Sequence, residues 1–204
     1  MNENPDCQLC ELHQHASEGA VCLKGEGSDS AKLLIYLDEP NFVEDRRRKG
    51  VVSDGADLLR WMLRRMSINP KDYYIDYVIK CHHAKCGSFT KKANRQNFIE
   101  SCSVYRLATL QLLRPAAVVG MGRICCEAFV GSDKIGDYEG TYWTPQEPFV
   151  RDFVPHVWLT YSPAYALQDP AASVTIYRVL ESAAHAAGLQ PHFDSSVMMF
   201  NYGT

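Results

Sequence analysis

The sequence predicts an α/β protein, a three-layer α/β/α sandwich with a central four-stranded parallel sheet. Two observations lead there. Short, unbroken apolar runs such as Leu33-Leu34-Ile35-Tyr36-Leu37 are bounded by turn residues, the pattern of strands buried on both faces. These runs alternate with helical patterns, which puts crossover helices on both sides of a parallel sheet. With 204 residues, 46% of them hydrophobic, the chain can bury one full core. Residues 1–204 are therefore expected to form a single domain.

Each element has its own warrant. Cys7-Gln8-Leu9-Cys10 opens the chain, and the polar stretch 11–30 reads as a loop or short helix. The first strand covers 32–37, and the loop after it carries Glu44-Asp45-Arg46-Arg47-Arg48-Lys49-Gly50. Leu58, Leu59, Trp61, Met62, Leu63 and Met66 recur at helical spacing and predict a helix over 56–66, ended by Asn69-Pro70. Residues 73–79 are β-branched and aromatic, a second strand. A polar, basic loop over 84–93 leads to one long helix over 94–113, stopped by Pro115. A short buried strand covers 116–120, and a helix over 123–129 ends near Gly131. Residues 132–155 read as irregular. The fourth strand, 157–161, runs into Ser162-Pro163-Ala164-Tyr165. A last helix covers 171–187 with Gly188 as its stop. The tail 189–204, with Phe193, Met198, Met199, Phe200 and Tyr202, is expected to pack back on the domain or on a partner.

Composition removes several classes. No apolar run approaches the ~18 residues of a membrane span. The N-terminus lacks the positive start and apolar core of a signal peptide, so a reducing, cytoplasmic location is expected. Eight cysteines in that setting read as ligands or buried thiols rather than disulfides. The net charge of -3 does not make the whole molecule a nucleic-acid binder, although local basic runs can supply a binding patch.

In an open α/β sheet, ligands bind beyond the carboxyl ends of the strands. Three polar turns, at Asp38, near Lys80 and at Ser162, share that edge, so Asp38 and Glu39 are expected at the mouth of a cleft. The competing reading is an ordinary polar strand end. Cys7 and Cys10 form a CxxC, Cys81 follows the second strand, and Cys102 lies in the long helix. Four thiolates suit zinc or an iron–sulfur cluster. Cys86 competes for the third place, while Cys22, Cys125 and Cys126 read as structural thiols.

Taken together, the order of these motifs resembles the uracil-DNA glycosylase superfamily, and within it family 4, the iron–sulfur type. The resemblance rests on Cys7–Cys10, then Leu37-Asp38-Glu39-Pro40-Asn41 with Glu44-Asp45, then Gly55-Ala56-Asp57-Leu58-Leu59. It continues through Tyr74-Ile75-Asp76-Tyr77-Val78-Ile79-Lys80-Cys81, Cys102, Arg114-Pro115-Ala116-Ala117-Val118-Val119-Gly120, and Thr160-Tyr161-Ser162-Pro163-Ala164-Tyr165. It spans about residues 7–187. It implies a 4Fe-4S cluster on Cys7, Cys10, Cys81 and Cys102, with zinc as the alternative. It also implies DNA as the partner and a monomer that spans no membrane.

The departures from the family pattern fall on the recognition residues. Glu39 stands where family 4 has alanine and where other uracil glycosylases have a catalytic aspartate. Tyr77 stands at the asparagine that reads uracil, and Val51 at the stacking phenylalanine. Ser162 replaces the histidine that assists the departing base, and Gln168 a following arginine. A site built to hydrogen-bond uracil rejects bases that lack the matching edge, and a phenol cannot mimic an amide. The resemblance therefore implies a glycosylase for a larger, modified pyrimidine, for instance in defence against phage. The alternatives are a uracil-DNA glycosylase of base excision repair and an inactive DNA-binding or replication-associated factor. In the first reading the base flips into the pocket and water attacks C1′ beside Glu39 or Asp38. Pro40 and Asn41 line the base, and Tyr165, Ala166 or Leu167 wedges the duplex. Arg46, Arg47, Arg48, Lys49, Lys91, Lys92 and Arg95 meet phosphates. His82 and His83 are read as exposed loop histidines.

Overall fold

A computed structural model describes residues 4, 6–15, 22–83, 86–140, 142–143 and 155–193. Six strands form one sheet in the order β1-β3-β2-β4-β6-β5. They are β1 (Glu26–Gly27), β2 (Leu33–Leu37), β3 (Tyr73–Tyr77), β4 (Ala117–Met121), β5 (Tyr142–Trp143) and β6 (His156–Thr160). The four central strands are parallel, as expected, although β3 carries the buried Asp76 within its apolar run. The two edge strands are antiparallel additions of two residues each, too short to leave a period in the sequence.

Side chains alternate cleanly between two cores. Leu33, Ile35, Leu37, Tyr73, Ile75, Tyr77, Val119 and Trp158 face one layer. That layer is covered by α2 (Asp54–Arg65), α6 (Pro163–Gln168) and α7 (Ala172–Ala186). Leu34, Tyr36, Tyr74, Val118, Val157 and Leu159 face the other. There the cover is α3 (Lys92–Ser101), α4 (Ser103–Leu113) and α5 (Arg123–Val130). This is the expected three-layer sandwich.

Three local expectations are corrected. The segment after β2 is not a loop: α1 (Phe42–Arg47) occupies it. Asn41 and Glu44 form a reciprocal capping box there. Asn41 Oδ1 accepts from the Val43 and Glu44 amides at 2.9 and 3.0 Å, and Glu44 Oε2 accepts from the Asn41 amide at 2.8 Å. Asn41→Ala is expected to lower stability by about 1 kcal/mol, measured by urea unfolding. The long helix is two helices, broken at Cys102, which ends α3 and starts α4. Finally, Ser162-Pro163 is a helix start rather than a bare turn. The Ser162 hydroxyl accepts from the Tyr165 amide at 3.1 Å, and Pro163 occupies the first helical position of α6.

Of the tail, Phe193 does pack back. It lies 5.4 Å from the Tyr177 ring, with Arg65 over its face. Met198, Met199, Phe200 and Tyr202 lie outside the described residues, as do 144–154.

Candidate active site

The carboxyl ends of β2, β3 and β6 meet, as expected, around a cleft of about 240 Å³. Asp38, Glu39, Pro40, Asn41, Tyr77 and Ser162 all line it. Val51 and Tyr165 do not.

Asp38 faces away from open chemistry. Its Oδ1 accepts from the Cys125 amide at 2.9 Å and so caps the start of α5 from across the sheet. Gly122 permits this. Its φ is +118°, and a Cβ there would lie 2.3 Å from Asp38 Oδ2. Burial pushes the Asp38 carboxyl up to about 7, against the pull of the Cys125 amide.

Glu39 is placed differently. Oε1 lies 2.8 Å from His83 Nδ1, whereas Oε2 is buried with no partner among the described residues. The Glu39 carboxylate beside it holds His83 above its ordinary range, against desolvation. The His83 ring is stacked on Phe89 at 4.0 Å, and Phe89 in turn on Phe98. His82 Nδ1 lies 2.9 Å from the Pro40 carbonyl oxygen. The two histidines, expected to be idle loop residues, therefore flank Glu39.

Tyr77 is locked from below. Its hydroxyl donates to Glu44 Oε1 at 2.9 Å and accepts from the Val51 amide at 2.5 Å. Glu44 is 1% exposed, and it also accepts from the Val52 amide at 3.0 Å. Burial, reinforced by the Glu44 carboxylate, pushes the Tyr77 phenol far up and keeps it the donor. Val51 sits in the left-handed region at φ +57°, a strained conformation for a β-branched residue. Its amide is held by Tyr77, and its carbonyl accepts from Arg60 Nη1 at 2.8 Å. Val51 thus acts through its backbone, behind the cleft wall. The signal missed in the sequence is Glu44, which lies 33 residues from its phenol partner.

The remaining expected contacts divide. Arg46, Arg47, Arg48 and Lys49 are exposed on and just after α1, beside the cleft lip at Asn41. Exposed Phe42 stands with them, under the Arg46 guanidinium. Gln168 is exposed at the end of α6, and Tyr165 is 44% exposed with its hydroxyl donating to Asp169. Arg95 is corrected. It is buried against Glu127, with Nη2 2.6 Å from Oε1, and cannot reach a phosphate. Lys92 reaches Asp133 at 3.5 Å.

The cysteines gather on the other face of the sheet. Cys7, Cys10, Cys81 and Cys102 lie within electrostatic reach of one another, together with Cys22, whose amide donates to Cys81 Sγ at 3.3 Å. Cys86, also within electrostatic reach of Cys10, donates to Glu11 at 3.4 Å. Among the described residues, no three of these sulfurs lie mutually within 4.8 Å. A zinc tetrahedron with ~2.3 Å bonds holds its sulfurs closer than that, whereas a larger cluster spreads them. Arg106, one turn after Cys102, is buried, with Nε and Nη1 unpartnered among the described residues. Desolvation lowers its affinity for a proton, opposed first by Tyr36 and then by the Cys102 and Cys125 sulfurs. A buried cation over the Phe129 ring, with two nitrogens unpartnered among the described residues, fits a site whose occupant brings several thiolates. The four-thiol donor set fits an iron–sulfur cluster. Burial pushes the Cys81 and Cys102 thiols up to about 12, so metal must drive their ionisation.

The fold and the site agree with the class that comparison with known proteins assigns, the base-excising hydrolases. The sequence model of the family described as Uracil DNA glycosylase superfamily matches residues 24–183, and the chain belongs to that superfamily. It is similar to the Type-4 uracil-DNA glycosylase of Pyrobaculum aerophilum, 25% identical over 171 residues (81% of this chain, 82% of the relative). The same name is borne by a Thermotoga maritima relative, 26% identical over 129 residues (63% of each chain). A third, from Saccharolobus solfataricus, is 24% identical over 181 residues (86% of this chain, 77% of the relative). The protein is accordingly a DNA glycosylase by class, with DNA as its substrate. No described helix is long and apolar enough to cross a membrane.

Proposed function

We propose that the cleft hydrolyses the N-glycosidic bond of a modified pyrimidine flipped out of DNA. The observation that carries this is Glu39. One of its oxygens is anchored by His83, while the other is buried and unpaired at the cleft. A carboxylate so held orients an attacking water and stabilises positive charge at C1′ as the base departs. Asp38 is a capping residue with a secondary electrostatic share. Ser162 accepts from the Tyr165 amide at the start of α6, which leaves its hydroxyl hydrogen and one lone pair to offer a base. Asn41, its oxygen tied into the capping box, has only its amide donors to offer.

The Tyr77 lock supports a base other than uracil. Its hydroxyl is already committed to Glu44 and Val51, so this position presents no paired donor and acceptor to a uracil edge. Pro40 and the Tyr77 ring give an apolar wall, and Tyr165 or Phe42 fills the gap left in the duplex. Arg46–Lys49 neutralise phosphates. Cys7, Cys10, Cys81 and Cys102 hold a 4Fe-4S cluster, which when bound ties the N-terminal segment to β3 and the α3–α4 break. The enzyme acts as a monomer in a reducing cytoplasm, where removal of modified cytosines from phage DNA is one use for it.

The test is base release from DNA carrying uracil, 5-hydroxymethyluracil, 5-hydroxymethylcytosine or glucosylated 5-hydroxymethylcytosine, scored as abasic sites. Release of one modified base with uracil untouched is the expected result. Release of uracil alone overturns the argument from Tyr77. Binding without any release leaves a DNA-binding factor.

A further inference from the structure

Glu39, His82 and His83 form the one group of three potential metal ligands found among the described residues, one ligand atom from each lying within 4.8 Å of the other two. We propose that they form a binding site for a single first-row divalent cation, of the zinc or ferrous type, at the lip of the cleft and separate from the cysteine nest.

Two further features support this beyond proximity. His82 Nδ1 donates to the Pro40 carbonyl at 2.9 Å, which fixes the tautomer and leaves Nε2 with its lone pair. Metal-ligating histidines characteristically donate their second ring nitrogen to such a carbonyl. Glu39 Oε2 is buried without a partner, a free anionic donor beside the two rings. The His83 ring is meanwhile held in one orientation by its stack on Phe89. Ligands bonded to zinc at ~2.0–2.2 Å stand roughly 3–3.5 Å apart. The 2.8 Å between Glu39 Oε1 and His83 Nδ1 needs only a small opening. Two imidazoles and one carboxylate suit zinc or ferrous iron and leave coordination positions open to water or a DNA phosphate oxygen.

The inference rests on coordination geometry and stands whether or not the cleft releases a base. The experiment uses the cluster-loaded protein and zinc itself. Equilibrium dialysis is run on the wild type and on Glu39→Ala and His82→Ala, with cluster absorbance as the control for folding. The expected result is one fewer zinc per chain in each variant than in the wild type. Identical zinc stoichiometry and affinity in all three proteins overturns the proposal. Zinc absorption spectroscopy on the wild type gives an answer that needs no variant. A nitrogen and oxygen shell with imidazole scattering supports the site, and a sulfur shell assigns the zinc to thiols and overturns it.

Discussion

Glu39→Gln is expected to slow base release by about 10²–10⁴-fold, the span over which a positioned acid–base group contributes, while cluster absorbance and thermal unfolding stay close to wild type. The amide keeps the side chain's shape and its contact with His83, but it carries no charge toward the sugar. Single-turnover release from the best substrate of the base panel is the measurement. Unchanged release would move the chemistry elsewhere in the cleft. Asp38→Asn is the contrast. Asp38 caps α5 with Oδ1, and the asparagine oxygen can take over that bond, so its effect on release is expected to be much the smaller.

The second large effect concerns the cysteine nest. Cys102→Ser is expected to abolish the broad iron–sulfur absorbance and to lower Tm by on the order of 10 °C or more. Metal-binding energy at a site that exists only in the folded state is folding energy, and about 2–4 °C follows each kcal/mol in a chain of this size. Cys102 sits where α3 hands over to α4, with buried Phe98, Ile99 and Leu110 around that joint, so the loss spreads through one whole layer. Arg106→Met separates charge from packing. Without metal the buried guanidinium is an uncompensated cation, and its removal is expected to stabilise the iron-free protein. With the cluster bound, the same change removes a buried positive charge one turn from Cys102 and is expected to speed iron loss to a chelator. A fall in stability of the iron-free form would refute the charge argument.

The strands were legible because strands buried on both faces are apolar without interruption, and nothing else in the chain imitates Leu33–Leu37 or Ala117–Met121. Their shared edge then placed Asp38, Glu39 and Ser162 at one cleft. What sequence could not supply were partnerships across long separations. Tyr77 reads as a recognition residue until Glu44 and Val51 are seen to hold its hydroxyl. Asp38 reads as catalytic until the Cys125 amide, 87 residues away, is found on it. Arg95 looks like a phosphate contact in a basic run until Glu127 buries it. The α1 helix was legible in principle, since Asn41-x-x-Glu44 is a capping signature. It was masked by the charge run that follows. The break at Cys102 has no local signal, because helical propensity continues through it.

The Tyr77 lock also constrains how this pocket can change over time. Exchanging Tyr77 for asparagine, the single step toward an amide that reads uracil, deprives Glu44 of a donor and leaves the strained Val51 amide without its acceptor. At ~1–3 kcal/mol for each buried group left unsatisfied, that intermediate loses a sizeable part of a domain's ~5–15 kcal/mol margin. Any mutational path between the two specificities must therefore pass first through Glu44 or the 51–52 backbone, in an order that a survey of single substitutions would not reveal. The pocket's specificity is ratcheted by a buried carboxylate committed to Tyr77 and to the backbone.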